Sequence, residues 1–158
     1  MSAEPWAVVL AGGVGSRFWP LSTPRRPKQL LPLVDQESLL ANTLRRLAPL
    51  VPPERTLVLT SALLAPAVAG ACELPAENVL AEPAPAGTAA ALTWAAFAIE
   101  RRAGPAAKMI CVHADWAVAD EKGFRAALAR AADVAAQRAS LVTVGIVPTR
   151  PDPGFGYI

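Results

Sequence analysis

Residues 6–20 read W-A-V-V-L-A-G-G-V-G-S-R-F-W-P, and the way the first five meet the glycines behind them decides the fold. The run 6–10 is apolar throughout and is stopped by Gly12 and Gly13. An uninterrupted apolar strand is one buried on both faces, as in a parallel sheet; a strand with one wet face alternates. The rest of the chain fits that start. Residues 56–60 form a β-branched, apolar second strand, 78–81 a brief third, 108–112 (K-M-I-C-V) a fourth and 141–146 a fifth.

Helical spacing fills the gaps between these strands. In 38–47, Leu40, Leu44 and Leu47 recur on one face, with Ser38 suited to cap the start and Arg45 and Arg46 to the last turn. Residues 62–72 predict a short helix in which Pro66 must lie in the first turn or break it. Residues 88–102 read as a buried helix, apolar almost all round, with Leu92, Trp94, Phe97 and Ile99 among small alanines. Trp6, Trp94 and Phe97 are assigned to the core, while Trp19 fits both a loop anchor and packing. Residues 121–138 are amphipathic, with Phe124, Leu128, Ala131 and Ala135 on one face and Asp120 as the cap. Strands alternating with helices predict an α/β fold: a mostly parallel sheet with helices on both faces and a ligand crevice at the carboxyl ends of the strands.

Composition narrows the function. The chain has 158 residues and is 53% hydrophobic, and a domain of this size buries roughly 68 to 70% of its unfolded surface without needing a disulfide or structural metal. A net charge of +2, from 15 Lys plus Arg against 13 Asp plus Glu, is too small for the basic excess of a nucleic-acid binder. Cys72 and Cys111 match neither a zinc nor a redox spacing and read as reduced, partly buried thiols. The N-terminus lacks the charge and apolar pattern of a signal peptide, and the longest uncharged stretch, 83–99, is too short and too broken by Pro85 and Gly87 to span a membrane. A cytoplasmic protein is expected. The chain stops at Gly156, Tyr157 and Ile158, where an aromatic and a β-branched residue follow a Pro/Gly turn as if opening a strand; a domain truncated at its C-terminus is expected.

The loop behind the first strand reads as a phosphate site. Gly12, Gly13 and Gly15 let backbone N–H groups approach a polyphosphate without a Cβ in the way, and Arg17, Arg25, Arg26 and Lys28 follow with no acid between them. Arg17 offers a planar fork and Lys28 a point charge, complementary ways of holding phosphate oxygens. No G-K-[ST] follows for a P-loop, and Phe18 stands where a dinucleotide fingerprint has its third glycine. Beyond the fourth strand, Asp115 in H-A-D-W lies where an open sheet places ligands and suits a hard Mg²⁺ ion beside phosphates, though a loop aspartate or cap is the alternative. His113, the single histidine, reads as a satisfied polar residue near the strand end.

The whole string L-A-G-G-V-G-S-R-F-W-P-L-S, then P-K-Q at 27–29, resembles the nucleotide-sugar pyrophosphorylases and among them most nearly the mannose-1-phosphate guanylyltransferases. E-P-A-P-A-G-T-A at 82–89 and G-I-V-P-T-R-P-D-P-G-F-G-Y-I at 145–158 resemble two further motifs of that family. The resemblance implies a Rossmann-like nucleotidyltransferase core, of which complete members carry a longer C-terminal portion. It implies Arg17 and Lys28 as the catalytic cations, Gly12, Gly13 and Gly15 as the triphosphate loop, Glu82 and Thr88 at the edge of the nucleotide pocket, and Asp115 as the Mg²⁺ ligand. Gly156 and Tyr157 match the start of the sugar-phosphate pocket, and equally fit a plain turn entering a strand. The implied substrates are GTP and mannose 1-phosphate, with no nucleic acid or membrane as partner and a homo-oligomer as a possible state of the full-length form. The second metal carboxylate and most of the sugar pocket would lie beyond Ile158.

The chain departs from the family pattern where Trp116 replaces a histidine after the aspartate, where Ala86-Gly87 replaces Arg-Asn, and where Pro153 replaces a threonine. Three other readings stand beside the guanylyltransferase one: a nucleotide-binding protein that transfers nothing, a sibling enzyme of different nucleotide or sugar specificity, and an α/β interaction module.

Overall fold

The computed structural model describes residues 4–13, 15–24, 26–154 and 156–157; Arg25 of the basic loop and Ile158 of the expected strand opening lie outside them. Four parallel strands, β1 (Pro5–Leu10), β2 (Thr56–Ser61), β3 (Val79–Glu82) and β4 (Lys108–His113), form one sheet in the order β3-β2-β1-β4. Each begins or ends within a residue or two of its sequence prediction. Both faces of β1 are buried, as its unbroken apolar run requires: Ala7 and Val9 join one core cluster, Trp6 and Val8 the other.

Between the strands lie α1 (Leu39–Leu47), α2 (Ala65–Gly70), α3 (Thr88–Ala103) and α4 (Glu121–Arg138). Ser38 caps α1 by accepting the Ala41 N–H at 3.1 Å, and Asp120 caps α4 by accepting the Gly123 N–H at 2.8 Å. Pro66 falls in the first turn of α2, where its missing N–H costs no bond. Leu40 and Leu47 of α1, Val68 of α2 and Leu128 and Ala132 of α4 pack on the face bearing Ala7, Val9, Val58 and Ile110. On the other face α3 sets Ala91, Ala95 and Ile99 against Trp6, Val8, Leu57 and Leu59. Cys72 and Cys111 are free, half-buried thiols. Burial pushes each up from 9.0 to about 11.

Three expectations need correction. Residues 141–146 are not a fifth strand: the run is exposed along its length and pairs with no strand. A β-favouring sequence becomes a strand when a neighbouring edge takes up its backbone groups, and past the left-handed Ala139 (φ 47°) the chain does not return to β4. Second, α3 is not buried all round. Ala91, Ala95 and Ile99, at i, i+4 and i+8, form the stripe buried against the sheet, with Leu92 and Ala98 partly buried beside it, while Trp94 and Phe97 are exposed, Phe97 by 58%. Third, Gly156 and Tyr157 open no strand among the described residues.

Candidate active site

The parallel register brings the exits of the strands level. Leu10 of β1 stands opposite Leu59 of β2 and His113 of β4. The next residues continue the ladder, the Ala11 N–H donating to the Leu59 carbonyl at 2.7 Å and the Ala114 N–H to the Leu10 carbonyl at 3.0 Å. Beyond these ends opens a cleft of about 300 Å³, with walls from Gly12 and Gly13 after β1, Ser61 of β2, Glu82 of β3, His113 at the end of β4 with Ala114 and Asp115 after it, and Gly87 and Thr88 at the start of α3. In the order β3-β2-β1-β4 the chain steps from β1 to β2 and β3 on one side and then crosses back from β3 to β4 on the other side of β1, and an open α/β sheet binds ligands at that switch.

Two long-range contacts shape the cleft. Lys28, on the 3₁₀ turn Lys28–Leu30, sends its ammonium to the Asp115 carboxylate, 87 residues away in sequence. A cation and an anion that sequence reasoning reached separately thus meet on one wall. Gly15 makes the approach of Lys28 possible. Its φ is +76°, and a Cβ there would lie 2.6 Å from Cβ and Cγ of Lys28 and 2.7 Å from Cδ, so no side chain fits. Next to Lys28, Gln29 is buried and donates through Nε2 to the Ala11 carbonyl at 2.6 Å. The Thr60 hydroxyl donates to the same carbonyl at 2.9 Å. Gln29 therefore ties the basic loop to the exit of β1, a role the sequence reading passed over although P-K-Q was in view.

The other predicted residues divide. Gly12, Gly13, Glu82, Thr88, Lys28 and Asp115 all line the cleft. Gly12 runs beside Glu82, its absent Cβ 3.7 Å from Oε2. Gly87, at φ +86°, turns the chain into α3, so the free N–H groups of a 16-residue helix begin at the cleft wall, where a helix favours anions. Arg17 is exposed on the 3₁₀ turn Ser16–Phe18 and does not line the cleft. Gly156 and Tyr157 are not brought to it either. The Tyr157 hydroxyl accepts the Asp152 N–H at 2.8 Å and donates to the Asp152 carbonyl at 3.0 Å, closing a local turn. His113, the last residue of β4, is exposed on the cleft wall, its ring tilted against that of Trp116 at 5.2 Å.

Backbone N–H groups, a helix start, the Lys28 ammonium with its Asp115 partner, and the Glu82 carboxylate around one cleft suit a ligand carrying phosphates and hydroxyls. Among the described residues no cluster of three or more His, Cys, Asp or Glu side chains forms a closed metal cage. The hard oxygen of Asp115 nonetheless fits Mg²⁺, which takes one or two carboxylates and completes its shell with phosphate oxygens and water.

The family model described as Nucleotidyl transferase matches residues 6–158. The chain belongs to the nucleotidyl transferase family. Within that family it is 39% identical over 156 residues to mannose-1-phosphate guanylyltransferase of Escherichia coli K12, covering 97% of this chain and 32% of that protein. It is 37% identical over 153 residues to the xanthan biosynthesis protein XanB of Xanthomonas campestris, covering 96% and 32%. The chain thus spans about a third of the length of the curated relatives it matches. A crystal structure described as mannose-1-phosphate geranyltransferase from Thermus thermophilus superposes with a TM-score of 0.71 and 40% identity, over 85% of this chain and 38% of that one. The nucleotidyl transferase core seen here is therefore the fold of a solved relative, and its cleft is the candidate site of nucleotidyl transfer.

Proposed function

We propose that the protein transfers a guanylyl group from GTP to mannose 1-phosphate, giving GDP-mannose and pyrophosphate. The observation that carries this reading is the Lys28–Asp115 pair set against the glycine loop at the strand exits, in a chain whose relatives include mannose-1-phosphate guanylyltransferases. An oxygen of the sugar phosphate attacks the α-phosphorus of GTP; the bond from that phosphorus to the bridging oxygen breaks, and pyrophosphate leaves. The attacking phosphate is already an anion near neutral pH, so no protein nucleophile is needed. The work is to align two repelling anions and neutralise charge as it moves to the leaving group. Backbone N–H groups at Gly12 and Gly13 receive the triphosphate and Lys28 supplies positive charge to it, while Gly15 clears the path of Lys28 and Arg17 stands outside the cleft. Glu82 and Thr88 border the nucleoside. Asp115 would hold Mg²⁺, whose chemistry when bound is to withdraw charge from phosphate oxygens. Triphosphates and reduced thiols both belong to the cytoplasm, where we place the reaction.

The test is a coupled pyrophosphate assay with GTP, mannose 1-phosphate and Mg²⁺, beside a GTP binding titration. Release that needs both substrates is the expected result. GTP binding without release would favour a protein that holds nucleotide and transfers nothing, a reading supported by the position of Gly156 and Tyr157 away from the cleft. Relatives in xanthan and alginate biosynthesis make competition among GTP, ATP, UTP and dTTP the second arm, with GTP expected to win.

A further inference from the structure

Behind Asp115 lies a group that the transfer reading does not use. The Arg46 side chain, in the last turn of α1, is 4% exposed. Its Nη2 donates to the Trp116 carbonyl at 3.3 Å, and its guanidinium carbon sits 5.7 Å from the centre of the Phe124 ring. Glu121 Oε1 is 3.8 Å from its Nε, and the Glu121 carboxylate is also approached to 3.5 Å by Arg45 and by Arg125. Nε itself finds no hydrogen-bond partner among the described residues. Burial lowers the guanidinium pKa from its ordinary value, the mark of a charge held where water does not reach it.

A buried cation with a shared carboxylate and an idle donor is a poor way to stabilise a fold. An apolar side chain of similar volume commonly does as well or better. What Arg46 touches explains it better. One turn earlier on the same helix, the Thr43 hydroxyl shares its one proton between the Leu39 carbonyl at 2.9 Å, within α1, and the Ala114 carbonyl at 3.3 Å. The 116 carbonyl thus accepts from Arg46 and the 114 carbonyl takes a share of the Thr43 proton, both from α1, and Asp115 stands between them with its carboxylate turned to Lys28 and the cleft. Trp116, the residue at which this chain departs from its family's histidine, is seated in the same arrangement, edge-on to Phe124 at 6.3 Å.

We propose that Arg46, with Thr43, is a positioning residue that straps the Asp115 segment to α1 and so fixes the carboxylate for phosphate chemistry in the cleft. The proposal rests on the transfer reading for its consequence in turnover, not for the strap itself. Arg46→Met keeps the bulk and removes the donor. Misplacement of a reacting centre by an ångström can cost about 100-fold, so R46M is expected to lower kcat by about that factor while KM for GTP stays within about twofold. Its melting temperature should not fall, and backbone hydrogen exchange over residues 114–118 should quicken with no substrate present. Arg46→Lys, which retains a donor, should recover much of the loss. Unchanged exchange in a folded R46M overturns the strap, as does a fall in kcat matched by an equal fall in stability. Wild-type protein that releases no pyrophosphate overturns the transfer reading alone, since quicker exchange in R46M would still support the strap. If R46M does not fold, Thr43→Val read by the same exchange measurement decides in its place.

Discussion

Lys28 and Gly15 act as one unit at the residue scale. The lysine reaches Asp115 by passing over the glycine, so their substitutions should fail differently. Under the proposed transfer, Lys28→Ala removes a charge for the phosphates, and loss of such a contact typically lowers turnover by about 10²–10³-fold; steady-state pyrophosphate release reads the loss, and an unchanged rate would refute the role. Gly15→Ala instead forces a Cβ into a left-handed conformation, at about 1–2 kcal/mol, and into the methylenes of Lys28. Urea unfolding should show that cost, and GTP binding should weaken with it. Either residue can be picked out from the glycine and basic loop in the sequence. Gln29 cannot: it is a polar side chain in a polar loop until its 2.6 Å bond to the Ala11 carbonyl is seen.

Among the elements, the caps were legible because capping is local. Ser38 and Asp120 each accept an N–H three residues ahead, a distance along the chain that sequence displays directly. Asp120→Ala should destabilise the protein by about 1 kcal/mol, and Asp120→Asn by much less, measured by urea unfolding with unchanged slope. Gly123 belongs to that cap, since a Cβ there would lie 2.9 Å from the Asp120 carboxyl carbon and closer still to Oδ2; Asp120→Ala should therefore also make Gly123→Ala tolerable. Element patterns failed where a partner was required. The apolar run 141–146 has the composition of a strand but no neighbour to pair with, and α3 carries more apolar residues than its one packed stripe can bury.

At the scale of the whole molecule, the sheet buries residues on both sides, and its two half-buried thiols give stability a pH dependence. Both thiols are raised from 9.0 to about 11 by desolvation. An acid whose folded pKa is raised holds its proton more tightly when folded, so unfolding releases protons above pH 9. The stability from these groups is complete below about pH 9 and is lost as pH rises toward 11. Chemical unfolding from pH 8 to 11 should show that decline, and a Cys72→Ala/Cys111→Ala variant should flatten it; an identical slope in the variant would count against the linkage. Sequence alone determined the α/β alternation, the limits of β1 to β4 to within a residue or two, the glycine turn behind β1 and the acid beyond β4, because each is written in the spacing of near neighbours. Tertiary structure decided which of these residues meet. The Lys28–Asp115 pair, the hold of Thr43 and Arg46 on either side of Asp115, and the exposure of Trp94 and Phe97 depend on surfaces brought together from 70 or more residues apart, or left uncovered. Only packing in three dimensions sets such contacts, since side-chain periodicity fixes the face a residue occupies and not what lies opposite it.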